Sequence, residues 1–177
     1  CFFVYRNYNS FGLVNAFVLL GNEVCVGCNR SGFAIINSAS YNLKEKDDTT
    51  SIKYREGIIM KLALQQCETL EDFENLLTDL PKPLGVEANF GVIDDAGGCA
   101  YYETNNFAYK KIDVNDLSIA PFGYVIRTNY SIYGKPDDGY GYIRYLNAED
   151  LFYNAAGAKD LTHRFILQDV SRSLKHS

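Results

Sequence analysis

The sequence has no excess of positive charge and no long apolar run, and each absence excludes a class of protein. The formal net charge is -5 and the pI is about 5.0, so we expect no basic surface that would bind nucleic acid. No apolar stretch approaches the roughly 18 residues of a membrane-spanning helix, so we expect no membrane span. No secretory signal peptide is recognisable, which is what a processed N-terminus would leave.

Cysteine and histidine are also scarce, with 5 and 2 residues respectively. An odd number of cysteines cannot form a complete disulfide framework within one chain. Cys25 and Cys28 form a single CxxC motif, but it lies in an alternating, strand-like run, whereas a redox motif begins a helix. His163 and His176 lie far along the chain, so buried structural thiols are favoured over a zinc or redox module, which stays as an alternative. We therefore expect neither a metal nor a cofactor.

What the chain does have is apolar and aromatic residues, at 47% and 14% of the total, which favours a β-rich globular protein. Its 177 residues suit a single domain, which we assign to residues 1–177. Alternating and apolar runs predict strands over residues 2–5, 11–20, 24–26, 32–36, 88–93, 99–103, 107–112 and 124–128, with a turn over 7–10. Helical spacing predicts helices over residues 55–67, 70–80, 142–156 and 160–174. Segregated blocks of strands and helices indicate an α+β layered domain with a largely antiparallel sheet.

The residue of greatest chemical interest is Cys1. Ribosomes do not start chains on cysteine, so we expect this terminus to be the product of a cut. An N-terminal cysteine combines a nucleophilic thiol with an α-amine that titrates near neutral pH and can act as its base. The alternative is that the sequence simply happens to begin here.

A cysteine nucleophile needs neutral, preorganised donors for the oxyanion that forms when it attacks a carbonyl. Polar residues that follow predicted strands or lie in the late helical region supply the candidates, which are Asn29, Asn37, Asn42, Asn129 and Arg144. Each has a structural alternative. Asn37 is equally typical of a turn former, and Arg144 could make a surface ion pair with Glu149 or Asp150.

Four short motifs resemble, in order and spacing, those of N-terminal-nucleophile (Ntn) hydrolases. Residues 29–37 resemble the "NExGL…N" segment, and residues 88–103 resemble the "GviDa.Gg….E" hairpin. Residues 127–130 resemble the "TN(H/F)" motif, and residues 141–144 resemble the downstream "S…R" segment. The resemblance covers roughly residues 11–174. It is closest to the acyl-CoA:6-aminopenicillanic acid acyltransferase-like branch, which neighbours the choloylglycine hydrolase-like bile salt hydrolases and penicillin V acylases.

The resemblance implies a role for each matching residue. Cys1 would be the nucleophile exposed by autocatalytic removal of a pro-segment, with its own α-amine as general base. Asn129 would be the oxyanion-hole asparagine, and Asn37 the second asparagine that helps to place the substrate amide. Arg144 would organise the N-terminal site. The implied fold is a four-layer αββα sandwich of two antiparallel sheets, incomplete here at its C-terminal end.

The implied activity is hydrolysis or acyl transfer of a linear amide in a small-molecule substrate, through an acyl-enzyme thioester and without a metal or cofactor.

Two departures from the family motivate an alternative, a non-catalytic Ntn-fold binding or scaffold protein. The connection after Cys1 is short, with Arg6 but no nearby acid, and relatives continue past residue 177. We therefore expect a further chain or segment to complete the fold, and a homo-oligomer. The compartment stays open, with export slightly favoured because a removed pro-segment is compatible with it.

Overall fold

The computed structural model describes residues 4–8, 14–20, 23–44, 51–157 and 161–170. Its seven strands form one antiparallel sheet in which every strand pairs with the next along the chain. The strands are β1 (Val4–Tyr8), β2 (Val14–Leu20), β3 (Glu23–Cys28), β4 (Ala34–Ala39), β5 (Ala88–Ile93), β6 (Cys99–Thr104) and β7 (Tyr109–Asp113). The predicted α+β class with an antiparallel sheet is confirmed. All strands of the described ranges belong to this one sheet, and the second sheet expected for an αββα sandwich is not seen among the described residues.

Two helices separate β4 from β5 and two more follow β7. They are α1 (Glu56–Gln66), α2 (Leu70–Asp79), α3 (Tyr140–Gly157) and the short α4 (His163–Phe165), which continues as a π-helical turn over Ile166–Val170. The start of α2 is a capping box, since Thr69 Oγ1 accepts from the Asp72 backbone and Asp72 Oδ2 accepts from the Thr69 backbone. No helix in the described ranges is long and apolar enough to cross a membrane.

Helices α1 and α2 cover one face of the sheet. The apolar core lies between these two helices and the sheet. The Phe73 ring of α2 packs against Phe90 of β5 at 5.8 Å and against Tyr102 of β6 at 5.1 Å between centroids. Phe90 and Tyr102 are paired across the two strands and are fully buried. Because side chains alternate along a strand, their neighbours Asn89 and Glu103 lie on the opposite face, which is therefore where buried polar groups collect.

A β-bulge divides the CxxC motif between environments. Val18 pairs with Val26 but Leu19 pairs with Val24, so Cys25 is an extra residue in β3. The bulge turns Val24 into the helix-covered core, and leaves Cys28 exposed. The interpretation of both CxxC thiols as buried is therefore wrong for Cys28, and Cys25 is only half-buried.

The predicted strand over residues 124–128 is also wrong, because this segment has no regular secondary structure and pairs with no strand in the described part of the chain. It lies across the sheet and is held by side chains. Ser38 Oγ and Asn89 Nδ2 both donate to the Thr128 carbonyl oxygen, at 2.7 and 3.1 Å.

The turn predicted over residues 7–10 is wrong at its start, since β1 runs on to Tyr8. The helix predicted over 160–174 is confirmed over 163–170, where the last five residues are π-helical, whereas residues 161–162 are not helical; residues 160 and 171–174 lie outside the described ranges.

Candidate functional site

The structure brings together two of the four predicted site residues, Asn129 and Arg144. The Arg144 Nη2 atom donates to Asn129 Oδ1 at 2.6 Å, a short charge-assisted hydrogen bond. Arg144 is exposed in the first turns of α3, and Asn129 is half-buried in the segment that follows residue 128. Cys1 lies outside the described residues, as does His176.

Both the backbone and the side chain of Asn129 are fixed at the end of β4. Its Nδ2 atom donates to the Ala39 carbonyl oxygen at 2.8 Å, and its own carbonyl oxygen accepts from the Tyr41 N–H at 3.0 Å. A guanidinium can only donate, so its contact with Oδ1 sets the orientation of the amide. The amide nitrogen carries two N–H groups and Ala39 takes one of them, so among the described residues the other is left as a donor whose direction is set.

The approach of Arg144 to Asn129 depends on a glycine in the first turn of α3. A Cβ atom on Gly141 would lie 3.0 Å from the Asn129 carbonyl carbon and 3.1 Å from the Tyr130 nitrogen. The Gly141 carbonyl oxygen accepts from Thr128 Oγ1 at 2.7 Å. The helix therefore starts in direct contact with residues 128–130, and three residues later it presents Arg144 to Asn129.

The side chain of Asn37 lies on the other face of the sheet. Asn37 pairs with Phe90, and side chains of paired residues share a face, so it points towards the helix-covered core. Its Oδ1 atom is buried and has no hydrogen-bond partner among the described residues. Its neighbour Ser38 faces the segment that carries Asn129. Asn37 and Asn129 are thus connected through the β4 backbone, where Ala39 receives the Asn129 amide, and their side chains are not brought together.

Two other candidates, Asn29 and Asn42, have structural partners that occupy them. Asn29 Nδ2 donates to the Leu64 and Cys67 carbonyl oxygens at the end of α1, at 3.2 and 2.8 Å, and so caps that helix. Asn42 Nδ2 donates to the carbonyl oxygens of Ser131 and Lys135, at 2.7 and 2.8 Å. Both asparagines therefore hold segments of backbone in place.

A buried ion pair beside Asn129 has no counterpart among the sequence candidates. Arg127 Nε lies 2.9 Å from Glu103 Oε1, and the two side chains are 2% and 0% exposed. The same carboxylate accepts from the backbone N–H groups of Ile132 and Tyr133, both at 2.8 Å. The sequence does indicate that Glu103 has a partner. Glu103 ends an apolar predicted strand, and a glutamate there is almost never buried without a partner.

A cavity of about 1110 Å³ opens between α3, β7 and residues 118–133. Its walls are largely apolar and aromatic, and include Phe122, Tyr124, Leu146 and Tyr153. Ile143 and Tyr145, on either side of Arg144, also line it. A space of this size and character is typical of a small-molecule pocket.

Comparisons with known proteins point to one family. The sequence matches the family described as acyl-coenzyme A:6-aminopenicillanic acid acyl-transferase over residues 1–151. The fold is similar to the Caenorhabditis elegans ortholog of N-acylethanolamine-hydrolyzing acid amidase, with a TM-score of 0.67 and 12% identity over 98% of this chain and 74% of that chain. It is also similar to an arginine-to-leucine variant of conjugated bile acid hydrolase from Clostridium perfringens, with a TM-score of 0.53 and 10% identity over 96% of this chain and 68% of that chain. A search of curated proteins gives no match. At such identities these two likenesses show the fold.

Proposed function

The chain belongs to the acyl-coenzyme A:6-aminopenicillanic acid acyl-transferase family of Ntn hydrolases, and on that premise we propose that it cleaves a linear amide with Cys1 as nucleophile. The observation that carries this proposal is the contact between Arg144 and Asn129. It fixes the orientation of a neutral amide whose N–H can donate, and a preorganised neutral donor is what an oxyanion hole needs. The two similar structures are both named as hydrolases, one of them as an amidase, which supports the same class of reaction.

In the proposed reaction the Cys1 α-amine takes the thiol proton, and the sulfur attacks the carbonyl carbon of the amide. The second N–H of the Asn129 amide and a backbone N–H of β4 near Asn37 stabilise the oxyanion. Collapse of the tetrahedral intermediate breaks the C–N bond, and the α-ammonium returns its proton to the leaving amine. Water then hydrolyses the thioester, whereas an amine in its place would complete an acyl transfer.

Arg144 has a positioning role in this scheme. Its guanidinium holds Asn129 Oδ1, so the amide cannot flip to present its oxygen to the oxyanion. The substrate would be a small-molecule amide with an apolar acyl group, for which the aromatic cavity beside Arg144 has suitable walls.

Thiol labelling separates this enzyme from a non-catalytic protein of the same fold. With iodoacetamide at pH 8, Cys1 is expected to react at least ~10-fold faster than the exposed Cys28, because its α-amine promotes the thiolate. Burial raises the pKa of the Cys67 thiol to about 12, so only about one thiol in 10⁴ would be ionised and Cys67 should react slowest. Rates are read from the masses of the alkylated peptides. A Cys1 rate no higher than that of Cys28 would favour the non-catalytic protein.

A further inference from the structure

We propose that Glu103 is a positioning residue that holds Asn129 in its oxyanion-binding place, acting through Arg127 and the backbone of residues 132–133. The proposal rests on the proposed function of Asn129. It assigns to a buried carboxylate on β6 a part in the reaction, although that carboxylate does not touch Asn129.

The Glu103 contacts lie on both sides of Asn129 along the chain. Arg127 precedes Asn129 by two residues, and Ile132 and Tyr133 follow it closely. One carboxylate contacts both sides. It accepts hydrogen bonds from the two backbone N–H groups at 2.8 Å, and Arg127 Nε lies 2.9 Å from Oε1 as an ion pair, without a hydrogen bond from that nitrogen to any described residue. The loop between these points carries Asn129, so its ends are fixed by a single side chain.

This segment has no regular secondary structure that would fix it otherwise. Residues 124–130 belong to no strand or helix, so their backbone depends on individual contacts, which are the Tyr41 N–H on the Asn129 carbonyl oxygen and side chains from the sheet. Neutral contacts hold the middle, where Ser38 and Asn89 donate to the Thr128 carbonyl oxygen. The charged contact at Glu103 is fully buried on its carboxylate side, so water cannot substitute for a lost partner without rearrangement.

A displacement of Asn129 matters because an oxyanion donor acts only at the right distance and angle. A shift on the order of 1 Å in a reacting group can lower a rate by about 10²-fold. Loss of the Glu103 charge should therefore lower kcat by roughly 10- to 100-fold and leave KM within about 3-fold, since the oxyanion forms after the substrate has bound.

The test compares Glu103→Gln with a matched control, Glu74→Gln. Glu74 also accepts hydrogen bonds, from Tyr102 and Lys111, but it lies on α2 across the sheet. Turnover is measured on N-acyl p-nitroanilides and normalised to the Cys1 thiol that labels rapidly. NMR measures the side-chain amide signal of Asn129 and the hydrogen exchange of the Ile132 and Tyr133 amides.

For Glu103→Gln we expect a shifted Asn129 signal, loss of at least ~10-fold protection at Ile132 or Tyr133, since glutamine keeps only one acceptor oxygen, and the fall in kcat, with Glu74→Gln unchanged in all three. An unchanged Asn129 signal, or full kcat per labelled site, would overturn the proposal. If the wild-type chain cleaves no amide, the proposed function fails, and the Asn129 signal alone decides for or against positioning. If Glu103→Gln does not fold, Glu103→Asp, which keeps the charge but shortens the reach, undergoes the same measurements with the same expected signs.

Discussion

Replacing Cys1 by alanine is expected to abolish amide cleavage, with kcat falling by roughly 10⁶-fold, the size of the loss when other hydrolases lose their covalent nucleophile. The substitution removes the sulfur that forms the thioester and keeps the α-amine, so the chain retains a base but has nothing to activate. Turnover of N-acyl p-nitroanilides measures the loss, and thermal unfolding checks that the fold is unchanged.

The matched control for this variant is Cys28→Ala. Cys28 is an exposed thiol on β3, so its loss should leave kcat unchanged and remove only a labelling site. Amide hydrolysis retained by Cys1→Ala would show that another group is the nucleophile. The family fold would stand, but the proposed mechanism would be wrong for this chain.

Replacing Asn129 by alanine is expected to lower kcat by about 10²- to 10³-fold, which is the usual cost of one oxyanion donor and corresponds to about 3–4 kcal/mol. KM should change little, because the donor is used only when negative charge develops on the carbonyl oxygen. Steady-state kinetics separate the two constants. Asn115→Ala is the control, since Asn115 is exposed and its amide bonds the Gly97 carbonyl oxygen in a turn.

A second substitution separates the donor from the contact with Arg144. In Asn129→Asp the carboxylate can still accept from Arg144, but it has no N–H for the oxyanion. We expect Asn129→Asp to be at least as slow as Asn129→Ala. If it kept the wild-type kcat, Asn129 would act only by anchoring Arg144, and the oxyanion donor would have to be another group.

Much of the fold is encoded in local patterns. The strand predicted over residues 88–93 is observed with those limits, because a buried apolar run meets a strong turn at Asp94. There Asp94 accepts from the Gly98 and Leu70 backbone nitrogens. The capping box at Thr69 and the start of α3 near residue 142 are equally local. The strand prediction over residues 124–128 fails for a non-local reason. The β-branched and aromatic residues there favour an extended backbone, but a strand also needs a neighbouring strand to pair with, and the local sequence does not show whether one is present.

The candidate site could be predicted only in part for a similar reason. The order of motifs identified Asn129 and Arg144, but their contact depends on the close approach of Gly141 to the backbone of residues 129–130. The face of Asn37 could have been found, since it continues the alternation of the buried Phe33 and Ile35. The ion pair of Glu103 and Arg127 joins residues far apart in sequence. The alternation of β6 predicts which face of the sheet Glu103 occupies, but nothing local predicts the position of Arg127.

The most direct test of the account is the mass of the enzyme quenched in acid during turnover of an N-acyl p-nitroanilide. Acid keeps the α-amine protonated, so an acyl group on sulfur would not migrate to nitrogen before analysis. The account predicts one added acyl group on the peptide that contains Cys1, formed as the coloured amine is released. An acyl group on any other peptide, or sustained turnover by enzyme whose Cys1 is already alkylated, would contradict it.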